Sequence, residues 1–190
     1  WEVATGKEIA RFAHKTSVYA VSFSPDGKFL ASGGADGTAR IWEVATGKEI
    51  ARFAHKGFVT KVLFSPDGKW IATASLDGTA RVWDVTTGNE IARMVHAREI
   101  QDIAFSPNGE MVVSASEDGT AFVWEANAKN GIEWEIQKER ISAVALGFDA
   151  QLGAMADEEG IVWVWDLTSG KDIARIDIGE PVYNIVLSPN

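Results

Sequence analysis

The chain has 190 residues, 46% of them hydrophobic and 24% charged, with no cysteine and a net charge of -9. That length and composition suit an ordinary globular chain able to bury a sizeable core, and the absence of cysteine excludes disulfides, thiolate metal sites and a cysteine nucleophile, so a reducing, cytoplasmic setting is expected. The acidic balance opposes a phosphate backbone, so no nucleic-acid partner is expected; no membrane role is expected either, because no apolar run approaches the roughly 18 residues of a span.

In chain order, residues 1–15 read WEVATGKEIARFAHK, and the same fifteen letters recur at 42–56. Short alternating runs rich in β-branched and aromatic residues then occupy 18–23, 28–32, 38–44 and 49–54. This is the period-2 pattern of half-buried strands. Pro-Asp-Gly separates the first run from the second, Asp36 and Gly37 the second from the third, and a Thr-Gly turn the third from the fourth. Asp-Gly between two such runs is a strong hairpin signal, because glycine takes up positive φ at little cost.

Beyond residue 56 the pattern repeats. Trp1, Trp42, Trp83, Trp124 and Trp165 stand 41 residues apart, each followed by Glu or Asp. The SPDG at 24–27 returns at 65–68, as SPNG at 106–109, as GFDA at 147–150 and as SPN at 188–190. Asp36-Gly37 returns as Asp77-Gly78, Asp118-Gly119 and Glu159-Gly160. No segment keeps a 3.6-residue apolar period over three turns, so an all-β chain is predicted. Charge is uneven: residues 1–60 hold eight Lys/Arg and six Asp/Glu, whereas 61–190 hold ten and twenty-one. An acidic later part favours a basic partner and also aids solubility.

A 41-residue period with four strands per unit, and a Trp-Asp or Trp-Glu closing the third strand, resembles the WD-repeat β-propeller family in its bacterial-type tandem form. The resemblance covers the whole chain. It implies a propeller of four-stranded antiparallel blades, four of them whole, near 16–56, 57–97, 98–138 and 139–179. Residues 1–13 would be the outer strand of a preceding blade and 181–190 the inner strand of a following one. Five periods would need fifteen residues more than the chain has, and no methionine opens it. The expectation is therefore an incomplete propeller, a window of a longer chain or an engineered piece, with self-association through open propeller ends as one consequence. The fifteen-residue identity fits recent blade duplication or deliberate copying.

His14, Ser32 and Asp36 contain the residue types of a serine-hydrolase triad. The set recurs as His55, Thr73 and Asp77 and as His96, Ser114 and Asp118, each time with a tryptophan (Trp42, Trp83, Trp124) six residues after the Asp. Three equal catalytic sites are not expected, and no catalytic residue is assigned. In the WD-repeat family the set resembles a structural network running from Asp through His and Ser/Thr to the indole N–H. The fourth unit has Gln137, Met155 and Glu159 at these registers beside Trp165, so its network is expected to be missing and apolar packing around Met155, Trp163 and Trp165 to replace it. The three histidines share one register and are spread over successive blades, so no metal is expected. DEEG at 157–160 lacks the spaced oxygen ligands of a calcium loop. GGADG at 33–37 is followed by no lysine at phosphate-loop spacing. No cofactor is expected.

Aligning the repeats with one another shows which registers vary. The position before the first Val/Ile of the inner strand reads Ser17, Phe58, Glu99, Arg140 and Pro181, and the position after it reads Tyr19, Thr60, Gln101, Ser142 and Tyr183. The position before the turn Asp reads Ala35, Leu76, Glu117 and Glu158. The resemblance places these registers at the rim of one face, where partners commonly dock. There Phe58 and Leu76 would form an apolar anchor, Tyr19 and Tyr183 amphipathic contacts, and Glu99, Glu117 and Glu158 an acidic arc. Arg11, Arg52, Arg93 and Arg175, with Trp134 in the fourth unit, read as a charged sheet edge that discourages strand addition.

The function expected is a non-enzymatic protein–protein interaction scaffold within a larger propeller-containing protein, its partner a protein or peptide and, on the charge argument, a basic one. Two alternatives stay open: a self-associating incomplete or engineered propeller with a structural role, and the sensor or regulatory domain of a bacterial signalling or defence protein.

Overall fold

Alternating runs bounded by turn residues become strands, and a computed structural model of the chain has strands at each of the predicted runs. It describes residues 2, 4–127, 132–138, 140–147 and 151–188, with the backbone alone described at 132–134 and 137. The described residues form four sheets and no helix. Blade 1 contains β1 (Val18–Phe23), β2 (Phe29–Gly34), β3 (Thr38–Glu43) and β4 (Glu49–Ala54). Blade 2 contains β5 (Val59–Phe64), β6 (Trp70–Ser75), β7 (Thr79–Asp84) and β8 (Glu90–Val95). Blade 3 contains β9 (Ile100–Phe105), β10 (Met111–Ser116), β11 (Thr120–Glu125) and β12 (Ile132–Gln137), and blade 4 contains β13 (Ile141–Leu146), β14 (Leu152–Asp157), β15 (Ile161–Asp166) and β16 (Lys171–Asp177). Every blade is antiparallel with its strands in chain order.

The turns explain why the pattern keeps its register. Ser24 Oγ donates to Asp26 Oδ1 at 2.7 Å and accepts the Phe29 N–H at 2.9 Å, clasping the first turn; Ser65 and Ser106 do the same in blades 2 and 3. At the second turn Gly78 has φ +78, and a Cβ there would stand 3.0 Å from the His96 carbonyl oxygen. Both the dihedral angle and the close approach require glycine.

Burial comes from neighbouring blades. Val59, Val62 and Phe64 of β5 pack on Ala31, Ile41 and Phe53 of blade 1. They are 0%, 4% and 8% exposed, whereas Val18, Val21 and Phe23, the same registers in β1, are 45%, 62% and 62% exposed. The side chains are nearly identical and only the neighbour differs. Polar bonds also cross the seams. The Phe64 N–H donates to Ser22 Oγ at 3.3 Å, the Val144 N–H donates to Asp102 Oδ2 at 3.0 Å, and Lys61 Nζ lies 3.1 Å from Asp102 Oδ1.

Residues 1–13 and 181–190, expected as strands of further blades, carry no strand among their described residues. A strand exists through its ladder, and neither segment meets the strand that would pair with it in a whole blade. Local geometry nonetheless persists. The Glu2 N–H donates to Lys7 O and the Gly6 N–H to Glu2 O, as Glu43, Lys48 and Gly47 do one period later. Phe12 tilts against Trp42 at 5.7 Å, as Phe53 does against Trp83 at 5.0 Å. At the other end Ser142 Oγ donates to Val182 O at 2.5 Å.

Candidate interaction face

Each inner strand carries a β-bulge at its second residue. Register slips between Val18 and Ala20, Val59 and Lys61, Ile100 and Asp102, and Ile141 and Ala143. The unpaired residues are Tyr19, Thr60, Gln101 and Ser142. A bulge bends the strand and re-aims the side chain of its extra residue. The other two variable registers are joined beside it by the backbone: the N–H groups of Ala35, Leu76, Glu117 and Glu158 donate to the carbonyls of Ser17, Phe58, Glu99 and Arg140. Three registers separated in sequence therefore converge at one end of each blade.

The face so formed has an apolar half and a charged half. Tyr19 stacks on Phe58 across the first seam, ring centroids 6.0 Å apart, and both rings remain exposed at 52% and 44% beside exposed Leu76. Thr60 Oγ1 and Ser142 Oγ donate to the backbone carbonyls of Ala74 and Ala156. On the charged half Gln101 Nε2 donates to Glu117 Oε1 at 2.7 Å, Arg98 lies 3.4 Å from Glu117, and Arg140 lies 3.0 Å from Glu158. Two of the three arc carboxylates thus have arginine partners. A hydrogen bond to Glu99 holds the Glu117 carboxyl above its usual range, with burial adding to the shift. Among described non-glycine residues Arg140 alone has positive φ, at 47°. Between the halves lies a groove of about 320 Å³ lined by Leu76, Asp77, Gly78, His96, Ala97, Arg98 and Glu99. Ser17, Pro181 and Tyr183 are exposed, Tyr183 at 75%.

Beneath this face lie the three polar sets. Trp42 Nε1–H donates to Ser32 Oγ at 2.7 Å, and that oxygen is 2.7 Å from His14 Nε2. Trp83, Thr73 and His55 repeat the arrangement at 2.9 and 2.8 Å, and Trp124, Ser114 and His96 at 3.3 and 2.9 Å. Each hydroxyl accepts from the indole and donates to the imidazole, which leaves Nδ1–H to donate onward. His14 reaches Asp36 at 3.4 Å and His55 reaches Asp77 at 3.3 Å, while His96 Nδ1 meets Thr120 Oγ1 at 2.8 Å, whose hydroxyl passes the bond on to Asp118.

Electrostatics agree with neutral histidines. Burial lowers His55 and His96 to about 4, and in His55 the nearby Arg81 adds to the effect. Burial raises the Asp36 and Asp77 carboxyls, but donors led by Thr38 and Thr79 outweigh it and bring both to about 2. Ser32, Thr73 and Ser114 are buried, so a substrate carbonyl has no approach to these hydroxyls.

In blade 4 the Trp165 indole N–H is buried without a partner among the described residues. Its ring lies over Gly153, whose register holds Leu30, Ile71 and Val112 elsewhere, and a Cβ on Gly153 would stand 2.4 Å from the indole. Met155 is fully buried beneath it. The side chain of Gln137 lies outside the described residues.

Residues 6–43, 47–84 and 88–125 each match the family model described as WD domain, G-beta repeat, together covering more than half of the chain. The chain belongs to the WD-repeat family. Among curated proteins none matches it. WD repeats generally serve as protein–protein interaction scaffolds and are typically non-enzymatic. The three WD matches end before the unit in which Trp165 has no partner among the described residues.

Two WD-repeat residues escaped the sequence reading. Arg40 and Arg81 are buried, each donating to the turn Asp and to a Thr hydroxyl and lying over its blade's tryptophan at 5.8 and 5.7 Å. Their register reads Arg, Arg, Phe122 and Trp163, and an arginine inside an otherwise apolar strand was the available signal. Three of the edge arginines pair with the glutamate three residues before them, Arg11 with Glu8, Arg52 with Glu49 and Arg93 with Glu90.

Proposed function

We propose that this chain holds a protein or peptide partner on the bulge face, and that the partner presents an apolar side chain beside a basic one. The observation that carries the reading is the stacked, exposed Tyr19–Phe58 pair on a face whose groove runs from Leu76 to Glu99, the partner of Glu117. Exposed aromatics next to complementary charge are what interface anchors require, and a rigid blade scaffold holds them at little entropic cost. No step of chemistry is assigned to the buried His, Ser/Thr and Asp sets. The test is selection from a random peptide library on the 190-residue chain. Recovered sequences should pair Lys or Arg with a nearby apolar residue, and the F58A/E117A double variant should recover none of them. Selection of acidic sequences, or equal recovery by the double variant, would overturn the reading.

A second reading is favoured by the exposure of Val18, Val21 and Phe23, whose counterparts in blade 2 are covered. That face fits another blade, and a second copy of the chain would supply one. Light scattering across a hundredfold concentration range decides it: a mass that stays monomeric throughout removes self-association.

A further inference from the structure

We propose that blades 2 and 3 form a second groove, at the end opposite the bulge face, that takes a lysine or arginine side chain of a partner peptide. The groove holds about 320 Å³ and is lined by Trp70, Glu110, Met111, Glu125 and Asn127. Trp70 opens β6 whereas Leu76 follows its last residue, so the two grooves lie a strand length apart.

Comparison among the repeats shows what has changed here. The register of Glu110 holds Lys28 in blade 1 and Lys69 in blade 2, and each lysine pairs with the turn Asp two residues before it, Asp26 at 3.2 Å and Asp67 at 2.9 Å. In blade 3 both members differ: Asn108 Nδ2 donates to Glu110 Oε2 at 2.9 Å. The resident cation has become a carboxylate. The register of Glu125 holds Glu43, Asp84 and Asp166. Asp84 accepts from the N–H groups of Thr86 and Thr87, Asp166 from those of Thr168 and Ser169, and Glu43 from the Thr46 hydroxyl. Glu125 is exposed and has no corresponding bond among the described residues.

Two carboxylates therefore face one groove with no lysine beside them among the described residues, next to the half-buried Trp70 and Met111. A long cationic side chain satisfies all of this, with its hydrocarbon stem along the indole and thioether and its charge between Glu110 and Glu125. A bare metal ion would leave the apolar wall unused, and the described residues contain no group of three metal-type ligands. The site is independent of the bulge face.

The test is an NMR titration of the isotope-labelled 190-residue chain with blocked pentapeptides that carry one lysine, one arginine or one Nε-acetyl-lysine among alanines. Expected is a saturable shift of the Trp70 indole N–H and the Met111 methyl with the first two and none with the third. Glu110→Lys, which restores the residue of blades 1 and 2, should weaken Kd by about tenfold. Glu125→Gln, which removes charge without adding bulk, should also weaken it, and Phe58→Ala should leave it unchanged. No shift with the cationic peptides, an equal response to acetyl-lysine, an unchanged Kd in Glu125→Gln, or the same shift with calcium chloride alone would each overturn the proposal.

Discussion

Thr73 Oγ1 accepts the Trp83 indole N–H at 2.9 Å and lies 2.8 Å from His55 Nε2, so one buried hydroxyl serves two buried polar groups. Two periods later Trp165 occupies the same register with nothing to bond among the described residues. Thr73→Val keeps the shape but orphans both the indole N–H and the imidazole. Urea unfolding should show a loss of about 2–4 kcal/mol, as expected for two unsatisfied buried groups. Met155→Ser copies the residue of blades 1 and 3 and should still cost about 2–4 kcal/mol, because it removes a fully buried side chain while the Trp165 ring points to Gly153.

Stability should fall with acid earlier than carboxylate titration alone requires. His55 and His96 sit at about 4 when folded, below their ordinary 6.5, so the folded chain favours the neutral ring. Their contribution is full above pH 6.5 and is lost as pH drops from there to about 4, on the order of 3 kcal/mol for each ring. Asp36 and Asp77 act in the same direction further down, between 3.8 and about 2. Denaturation midpoints measured from pH 7.5 to 4 should decline, and His55→Gln should flatten that decline by about half. A pH-independent midpoint down to pH 4.5 would show the rings to be protonated in the fold.

Gly153 is a second position where restoring the repeat consensus should harm. Leu30, Ile71 and Val112 fill its register in the other blades, yet Gly153→Val would place a Cβ 2.4 Å from the Trp165 ring. Overpacking of this kind costs about 1–3 kcal/mol. Calorimetry should show a lowered Tm, with the loss reduced in G153V/W165F.

Identical registers should answer oppositely to charge. Val21→Lys stays within about 0.5 kcal/mol of the parent, because the site is already in water, whereas Val62→Lys costs more than about 4 kcal/mol or prevents folding. Circular dichroism melting of the two variants measures the difference, and similar melting would mean that blade 1 is covered in solution.

The rim pair should matter more for recognition than for folding. Tyr19→Ala should cost no more than about 1.5 kcal/mol, the size of one aromatic pair, since both rings remain half in solvent. Peptide recovery on the bulge face should nevertheless fall, as the stack presents one continuous anchor to the partner.

Much of this architecture can be read from the letters, because four kinds of marker recur in one register and each has a local cause. Ser-Pro-Asp-Gly builds its own clasp, Asp-Gly its own turn, and alternation its own strand. The variable registers were visible for the same reason. What escaped depends on tertiary placement. Residues 1–13 have the letters of β4 but lack its ladder, since pairing belongs to two strands and not to one. Arg40 and Arg81 take on their role only through the burial of the third strand against its neighbours. The pairing of Glu117 with Arg98 rests on a residue outside the three variable registers compared, and the bulges that turn Tyr19, Thr60, Gln101 and Ser142 outward appear only when strands are laid side by side.

Asp102 makes the seams chemically unequal. One buried carboxylate of blade 3 binds the backbone of blade 4 and the ammonium of Lys61 in blade 2, so three sheets are riveted at a single point. At the first seam the Ser22 hydroxyl is a weaker rivet, and the alanine at the corresponding place in β1 supplies no anion. That same seam is bridged by the Tyr19–Phe58 stack, so a ligand gripping those two rings would act as a splint holding blade 1 to blade 2.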